Sequence, residues 1–277
     1  MSALLYKAWL ETRVRFLAGL VAVAIVCVYQ IQQHAGLIRV WTHDFQTHNV
    51  SNSMWAKFGV PEYGWYLWDY LYVYFLQQVW ALFAVVLTFD GLIREKTSGT
   101  VSFSLGLPIS RKRWMFTRLA VVLMESAALS LFAVLIVVIG SAVVHQTFDL
   151  SQIFLHAALL VAAGVCIIAL ANLCYTLVPG NYLSLLATLA LLGVPYLWIQ
   201  RHVQRIRATD LTGPLRASFE QINMHLPWWR YFDLAHVMAG PWHLNLATTP
   251  WVALLAIWTL TLLVVAVTAA YGDRVDY

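Results

Sequence analysis

The sequence predicts an all-α polytopic membrane protein with about six transmembrane helices. Hydrophobic residues make up 61% of the 277 residues and charged residues only 11%, against ~45–50% and ~25% in soluble domains. The mean hydropathy is +0.71. The apolar runs are ~16–26 residues long, which suits spanning helices and not the ~10-residue alternating strands of a barrel. These observations exclude a soluble enzyme, a disordered chain and a disulfide-bonded scaffold.

The N-terminal segment, residues 2–15, is predicted to be an amphipathic helix. Leu4 and Ala8 recur at helical spacing, and Lys7 and Glu11 fall on another side. Such a helix is expected to lie in the inner membrane interface. The alternative is a plain cytosolic tail.

The remainder of the chain is predicted to form one transmembrane domain without a separate soluble domain. The expected spans are residues 16–31, 66–89, 114–144, 153–177, 182–199 and 251–271. Residues 34–65 and the long segment 200–249 are expected to be external loops, and short helices dipping into the outer leaflet would suit the Pro- and Trp-rich composition of the second.

No metal site is expected. The first external loop contains His34, His43, Asp44 and His48, but their spacing fits no tight zinc pattern, so a solvated loop is the preferred interpretation. Cys27, Cys166 and Cys174 all lie within apolar runs, where they are expected to be packing residues. Nucleic acid is not an expected partner, because the basic residues lie mainly beside the apolar runs and form no basic stripe.

The distribution of Lys and Arg favours cytoplasmic N- and C-termini. The first apolar run follows Lys7, Arg13 and Arg15, and the first helix usually dominates orientation. More of the 17 basic residues fall on this side, although residues 200–249 place several on the other. This orientation makes residues 90–113 a cytoplasmic loop.

The loop 90–113 is dense in charge within a chain that is poor in it. Gly99 permits a sharp bend, Pro108 ends any helix before it, and Ser110 is placed to cap the helix that follows. These features predict a short helix along the inner surface and a turn back into the bilayer. An ordinary basic inner loop is the alternative.

This loop resembles the signature of the permease subunits of type-2 ATP-binding-cassette (ABC) exporters. In that pattern an Arg-Glu pair precedes Gly-Thr, an apolar stretch and Leu-x-Pro-Ile-Ser-Arg. The matching positions are Arg94, Glu95, Gly99, Thr100, Leu105, Pro108, Ile109, Ser110 and Arg111. The chain departs from it at Val101 and Ser102, where the family often has an acidic residue, and at Thr117-Arg118, where it often has Gly-Lys.

The resemblance implies a non-catalytic transport subunit in the bacterial inner (plasma) membrane. Its partners would be two copies of an ABC ATP-binding subunit, a second permease subunit expected to be the same chain, and membrane lipid. ATP and Mg would be held by the ATP-binding subunits, and no cofactor by this chain. The residues expected to couple to the ATPase are Arg94, Glu95, Lys96, Gly99, Thr100, Pro108, Ser110 and Arg111.

Three Asp, Glu, Lys or Arg residues lie within the predicted spans. Glu125 is well inside residues 114–144, and Arg118, seven residues earlier on the same face, is placed to reach towards it. Glu125 therefore belongs either to a subunit interface or cavity, or to a local buried pair. A proton relay would need further carboxylates, and only Asp69 is available.

Two other function classes compete with the exporter subunit. A secondary transporter or channel without an ATPase is the alternative, but paired broken helices and an intramembrane charge network are missing from the sequence. A membrane enzyme would need a cluster of His, Asp or Glu near a membrane face, and the inner loops offer none. The sequence also lacks a Walker loop, so no ATP site is expected in the chain itself.

Overall fold

The computed structural model confirms the all-α polytopic class. It describes residues 2–46, 63–98, 111–178, 181–209, 233–241, 243–245 and 247–272, and these contain no strand. Within them the helices are α1 (Ser2–Gln46), α2 (Tyr63–Tyr66), the π-helix π1 (Leu67–Leu76), α3 (Gln77–Ser98), α4 (Arg111–Val143), α5 (Leu150–Leu177), α6 (Asn181–Thr209), α7 (Leu234–Ala239) and α8 (Trp251–Gly272). The segments α2, π1 and α3 form one continuous rod.

Five stretches of the described residues are long and apolar enough to cross a membrane. They are Leu4–Leu37, Tyr63–Phe89, Arg113–Val143, Leu150–Leu177 and Trp251–Tyr271. Tyr182–Leu197, within α6, is a shorter apolar helix. At 1.5 Å per residue it covers about 24 Å, less than the ~30 Å hydrocarbon core. The described residues therefore contain five helices long enough to span a membrane, and the predicted fifth span, residues 182–199, corresponds to the shorter one.

The predicted division between residues 2–15 and 16–31 is corrected, because α1 is a single helix from Ser2 to Gln46. Residues 2–15 continue directly into the first span. Glu11 and Thr12 are bonded to α4, as described below. The first loop cannot begin at residue 34 either. Gly36 is tolerated inside the helix, and no proline interrupts it.

Two other loops are shorter than predicted. In the segment 90–113, α3 continues to Ser98 and α4 begins at Arg111. The residues between them, 99–110, lie outside the described part. In the segment 200–249, α6 continues to Thr209 and α7 forms a short helix. A rule based on apolar run length ends a helix at its first charges, whereas the backbone hydrogen bonds continue beyond them.

Helix α5 is the centre of the bundle. It packs against α3, α4, α6, α7 and α8, and its apolar stretch has the largest buried share of the five. It begins at the N-cap Asp149, whose carboxylate accepts the backbone N–H of Ser151 at 2.9 Å. The hydrogen bonds from Ser151 hold the pKa of Asp149 below its ordinary value.

A close contact in the core joins the rod to α4 and α5. Trp80 is 1% exposed, and its indole Nε1 donates to the carbonyl oxygen of Ser126 at 2.9 Å. Its ring lies against Gly164, where the absent side chain leaves room for it. This close approach fixes α3 relative to α4 and α5.

Candidate functional site

The predicted coupling residues lie where α3 ends and α4 begins, and we call this the loop end of the bundle. The backbones of Arg94, Glu95 and Lys96 belong to the last turns of α3, and Arg111 opens α4. Their side chains are outside the described part, as are the remaining predicted coupling positions Gly99, Thr100, Pro108 and Ser110. Their contacts with an ATPase therefore stay a prediction.

The N-terminal part of α1 is bound to both α3 and α4. Arg118 of α4 donates from Nη2 to Glu11 Oε2 at 2.6 Å, and the two side chains are only 15% and 18% exposed. The Arg118 guanidinium also lies over the Trp114 ring, 4.6 Å from its centroid. On the α3 side, Arg15 Nη1 donates to the carbonyl oxygen of Val86 at 3.3 Å.

Glu125 is also bound to α1. Its Oε1 accepts a hydrogen bond from Thr12 Oγ1 at 2.5 Å, and the residue is 5% exposed. The expected approach of Arg118 to Glu125 is corrected, because Arg118 pairs with Glu11 on the neighbouring helix instead. We call Glu11, Thr12, Arg118 and Glu125 the α1–α4 polar cluster.

Asp69 does not join this cluster. It is buried in π1, next to Trp68, whose Nε1 donates to the Gly240 carbonyl oxygen beside α7 at 3.2 Å. Asp69 precedes Val86 by 17 positions in the same rod, so more than about 20 Å separates their levels. The structure therefore offers no proton path between Asp69 and Glu125 through adjacent described carboxylates.

A cavity of about 340 Å³ lies on the other side of the bundle, between α3 and α6. Its walls are mostly aliphatic, and α5, α7 and α8 complete them. It reaches the bundle surface, because Gln78, Leu82 and Leu189 line it and are exposed. Clefts of roughly 300–1,000 Å³ with few polar groups are typical of small-molecule sites.

The polar groups of this cavity come from three helices. Gln77 is 4% exposed, its Nε2 donates to the Val73 carbonyl oxygen, and its Oε1 has no hydrogen-bond partner among the residues that the structure describes. Gln78 Nε2 donates to the Tyr196 hydroxyl at 2.8 Å. Asp233 caps α7 by accepting the His236 backbone N–H at 3.3 Å, and burial raises the pKa of its carboxyl group.

The sequence analysis predicted neither the cavity between α3 and α6 nor the pairing of Glu11 with Arg118. Two adjacent glutamines in the middle of an apolar run were a usable signal, because polar residues at that depth are costly and often functional. The pairing of Glu11 with Arg118 had no local signal, since the partners are 107 positions apart.

The described residues contain no group of three His, Cys, Asp or Glu side chains placed to hold a metal ion. His34, from the predicted histidine-containing loop, instead lies within α1. Its ring contacts those of Tyr63 and Tyr66, at centroid distances of 4.7 and 4.8 Å. The side chains of His43, Asp44 and His48 are outside the described part.

Comparison with known proteins gives one family. Residues 69–204 match the family model described as the C-terminal domain of the multidrug efflux system permease Rv1217c. No curated protein and no solved structure matches the chain. The matched stretch, slightly under half of the chain, runs from π1 into α6 and includes the predicted coupling loop, Glu125 and Gln77. This similarity supports a membrane permease.

Proposed function

We propose that the chain is the membrane-spanning permease subunit of an ATP-driven exporter of the ABC class. Two such subunits form the translocation path, and two separate ATP-binding subunits hold ATP and Mg. The loop 90–113 docks each permease onto its ATPase. The complex resides in the bacterial inner (plasma) membrane, with both termini of this chain in the cytoplasm.

The observation that carries this proposal is the linkage of α1 to both helices that flank the loop. Arg118 and Glu125 bond to α1 from α4, while Arg15 bonds to the backbone of α3. A displacement of the loop must therefore move three helices together and not one alone. ATP can drive transport only through contacts that differ between two states, and a unit of this kind transmits such a difference.

The charge at the loop end supports the proposed orientation. Lys7, Arg13 and Arg15 lie on the first turns of α1, and Arg113 and Arg118 lie on the first turns of α4. Basic residues beside spanning helices favour the cytoplasmic side, and the first helix usually dominates. The family match covers the loop itself, which supports its role in a permease.

Replacing Glu95 with alanine tests the docking role. The tagged chain is purified gently from its native membranes, and co-purifying ATP-binding subunits are detected by photolabelling with azido-ATP. Loss of one charged contact at the interface should reduce the co-purified subunit about tenfold or more, because charge-assisted contacts contribute ~1.5–3 kcal/mol.

The matched control is Arg39→Ala, which removes a charged side chain from the opposite part of α1. It should leave the co-purified amount unchanged. If the wild-type chain carries no ATP-binding subunit and transports alone, the ABC assignment fails. If the subunit co-purifies equally with Glu95→Ala and with wild type, the docking role of this residue fails.

A further inference from the structure

We propose that the cavity between α3 and α6 is a binding site for one acyl chain of a membrane phospholipid. The inference goes beyond the proposed function, because it adds a ligand that the docking of an ATPase does not require. Neither the family match nor the loop motif assigns this cavity a ligand.

The cavity lies at the depth of the hydrocarbon core. Its α5 wall, which includes Ile167 and Leu170, is about 10 Å or more from either end of the apolar stretch Leu150–Leu177. The exposed residues Leu82 and Leu189 open it to the surface of the described bundle. At this depth a spanning bundle is surrounded by lipid chains and not by water. Phospholipid chains are therefore the molecules that meet the mouth of the cavity.

The shape of the cavity follows from the packing of α6. Of the α6 side chains that the structure describes, Ser184 and Thr188 are the buried ones, and both are 0% exposed. Small side chains of this kind let helices approach closely. Farther along α6, a Cβ at Gly193 would meet no atom within 4 Å, so the helix stands away from its neighbours there. The cavity is the space that this separation leaves between α6 and α3.

The polar side chains around the cavity are hydrogen-bonded within the protein. Gln78 donates to the Tyr196 hydroxyl at 2.8 Å, and the Asp233 carboxylate caps α7. Gln77 Nε2 donates to the Val73 carbonyl oxygen, and Gln77 Oε1 has under 1 Å² of accessible surface, so it does not face the cavity. A buried water molecule needs about two to four polar partners. Water and polar ligands therefore gain little here, whereas an apolar occupant loses nothing.

An acyl chain fits the volume of the cavity. An apolar cavity of ~150 Å³ takes up benzene, so one of about 340 Å³ holds a chain segment on the order of ten carbons. If the cavity were empty, its aliphatic walls would lose dispersion contacts on one side. A helix of a second copy, ~10 Å across, would need roughly 900 Å³ over the same ~12 Å from Gln77 to Val85. The volume therefore favours a single chain over a helix.

The test maps where a photoreactive lipid reacts with the protein. The purified full chain is placed in nanodiscs that contain phosphatidylcholine with a diazirine in the middle of one acyl chain, and the adducts are located by mass spectrometry. Leu170, a partly buried residue of the cavity wall, should be labelled. Leu263 of α8, which is 60% exposed and lies outside the cavity, reports the lipid around the bundle. Both residues lie about 10–14 Å from the C-terminal ends of their helices, so one probe reaches both.

Two variants fill the cavity from opposite walls. Gly193→Leu adds a side chain from α6 into open space, and Ala81→Leu adds one from α3. Each should reduce the labelling of Leu170 about tenfold, because the chain no longer fits, and leave the labelling of Leu263 unchanged. Gly36 is equally unobstructed but lies on α1 outside the cavity, so Gly36→Leu should be labelled as wild type is.

Three results would overturn the inference. They are labelling of Leu263 without labelling of Leu170, labelling of Leu170 that both cavity-filling variants leave unchanged, and a disulfide between two Gly193→Cys chains, which would assign the cavity to a second copy. None of these measurements involves the ATPase, so their failure is distinct from failure of the docking experiment.

Discussion

Gly164→Ala is expected to destabilise the helical bundle by about 2–3 kcal/mol, the upper part of the range for overpacked cores. An added Cβ would overlap with Cζ3 and Cη2 of Trp80. The indole has little freedom to move, because it is 1% exposed and is hydrogen-bonded to the Ser126 carbonyl oxygen. The free energy of unfolding, measured by SDS titration of the purified protein with circular dichroism, checks this.

The same substitution at Gly36 is the control, since a Cβ there meets no atom within 4 Å. Gly36→Ala should be neutral or stabilise the helix by up to about 1 kcal/mol. Trp80→Phe shortens the ring system and should cost less in the Gly164→Ala background than in the wild type. Equal stability of Gly164→Ala and Gly36→Ala would contradict the described packing of α3 on α5.

Arg118→Leu is expected to cost about 2 kcal/mol of stability and to reduce transport at unchanged ATPase binding. Among the described residues, it leaves the largely buried Glu11 with Lys7 at 3.8 Å as a basic neighbour. Removing one partner of a fully buried pair costs ~3–5 kcal/mol, and the partial exposure here lowers that figure. Transport should fall because α1 no longer follows α4.

Arg13→Leu is the matched control, because it removes one basic charge from the same end at an exposed position. It should leave stability and transport near the wild-type values. The double variant Glu11→Leu/Arg118→Leu should recover part of the lost stability, since it removes the unpaired charge, but not the coupling. Wild-type transport by Arg118→Leu would show that the α1–α4 polar cluster is not needed for coupling.

Apolar run length was sufficient to predict the fold class and the approximate place of the spans. It failed at helix ends, because a helix is held by backbone hydrogen bonds that continue through charged segments such as Arg201–Thr209 of α6. It also divided α1 in two, since Lys7 and Glu11 looked like the polar face of an interfacial helix. Glu11 in fact pairs with Arg118 of α4, and no local sequence pattern indicates that pairing.

The sites were predicted less completely than the fold. Glu125 and Arg118 were recognised as unusual, yet their partners came from α1 and not from each other. The cavity is lined by residues from five helices, and such a shape follows from packing and not from periodicity. The coupling residues were inferred from a motif, and their contacts depend on a second polypeptide.

The most direct test of the account is the side of the membrane on which the loop end lies. Ser98, the last residue of α3, is replaced with cysteine, and Ala247, an exposed residue before α8, is replaced as the control. The native Cys27, Cys166 and Cys174 are buried, so an impermeant maleimide should leave them unmodified. Ser98→Cys should react only in inverted vesicles and Ala247→Cys only in intact cells. Labelling of Ser98→Cys from outside intact cells would contradict it, because the loop 90–113 could then reach no ATPase.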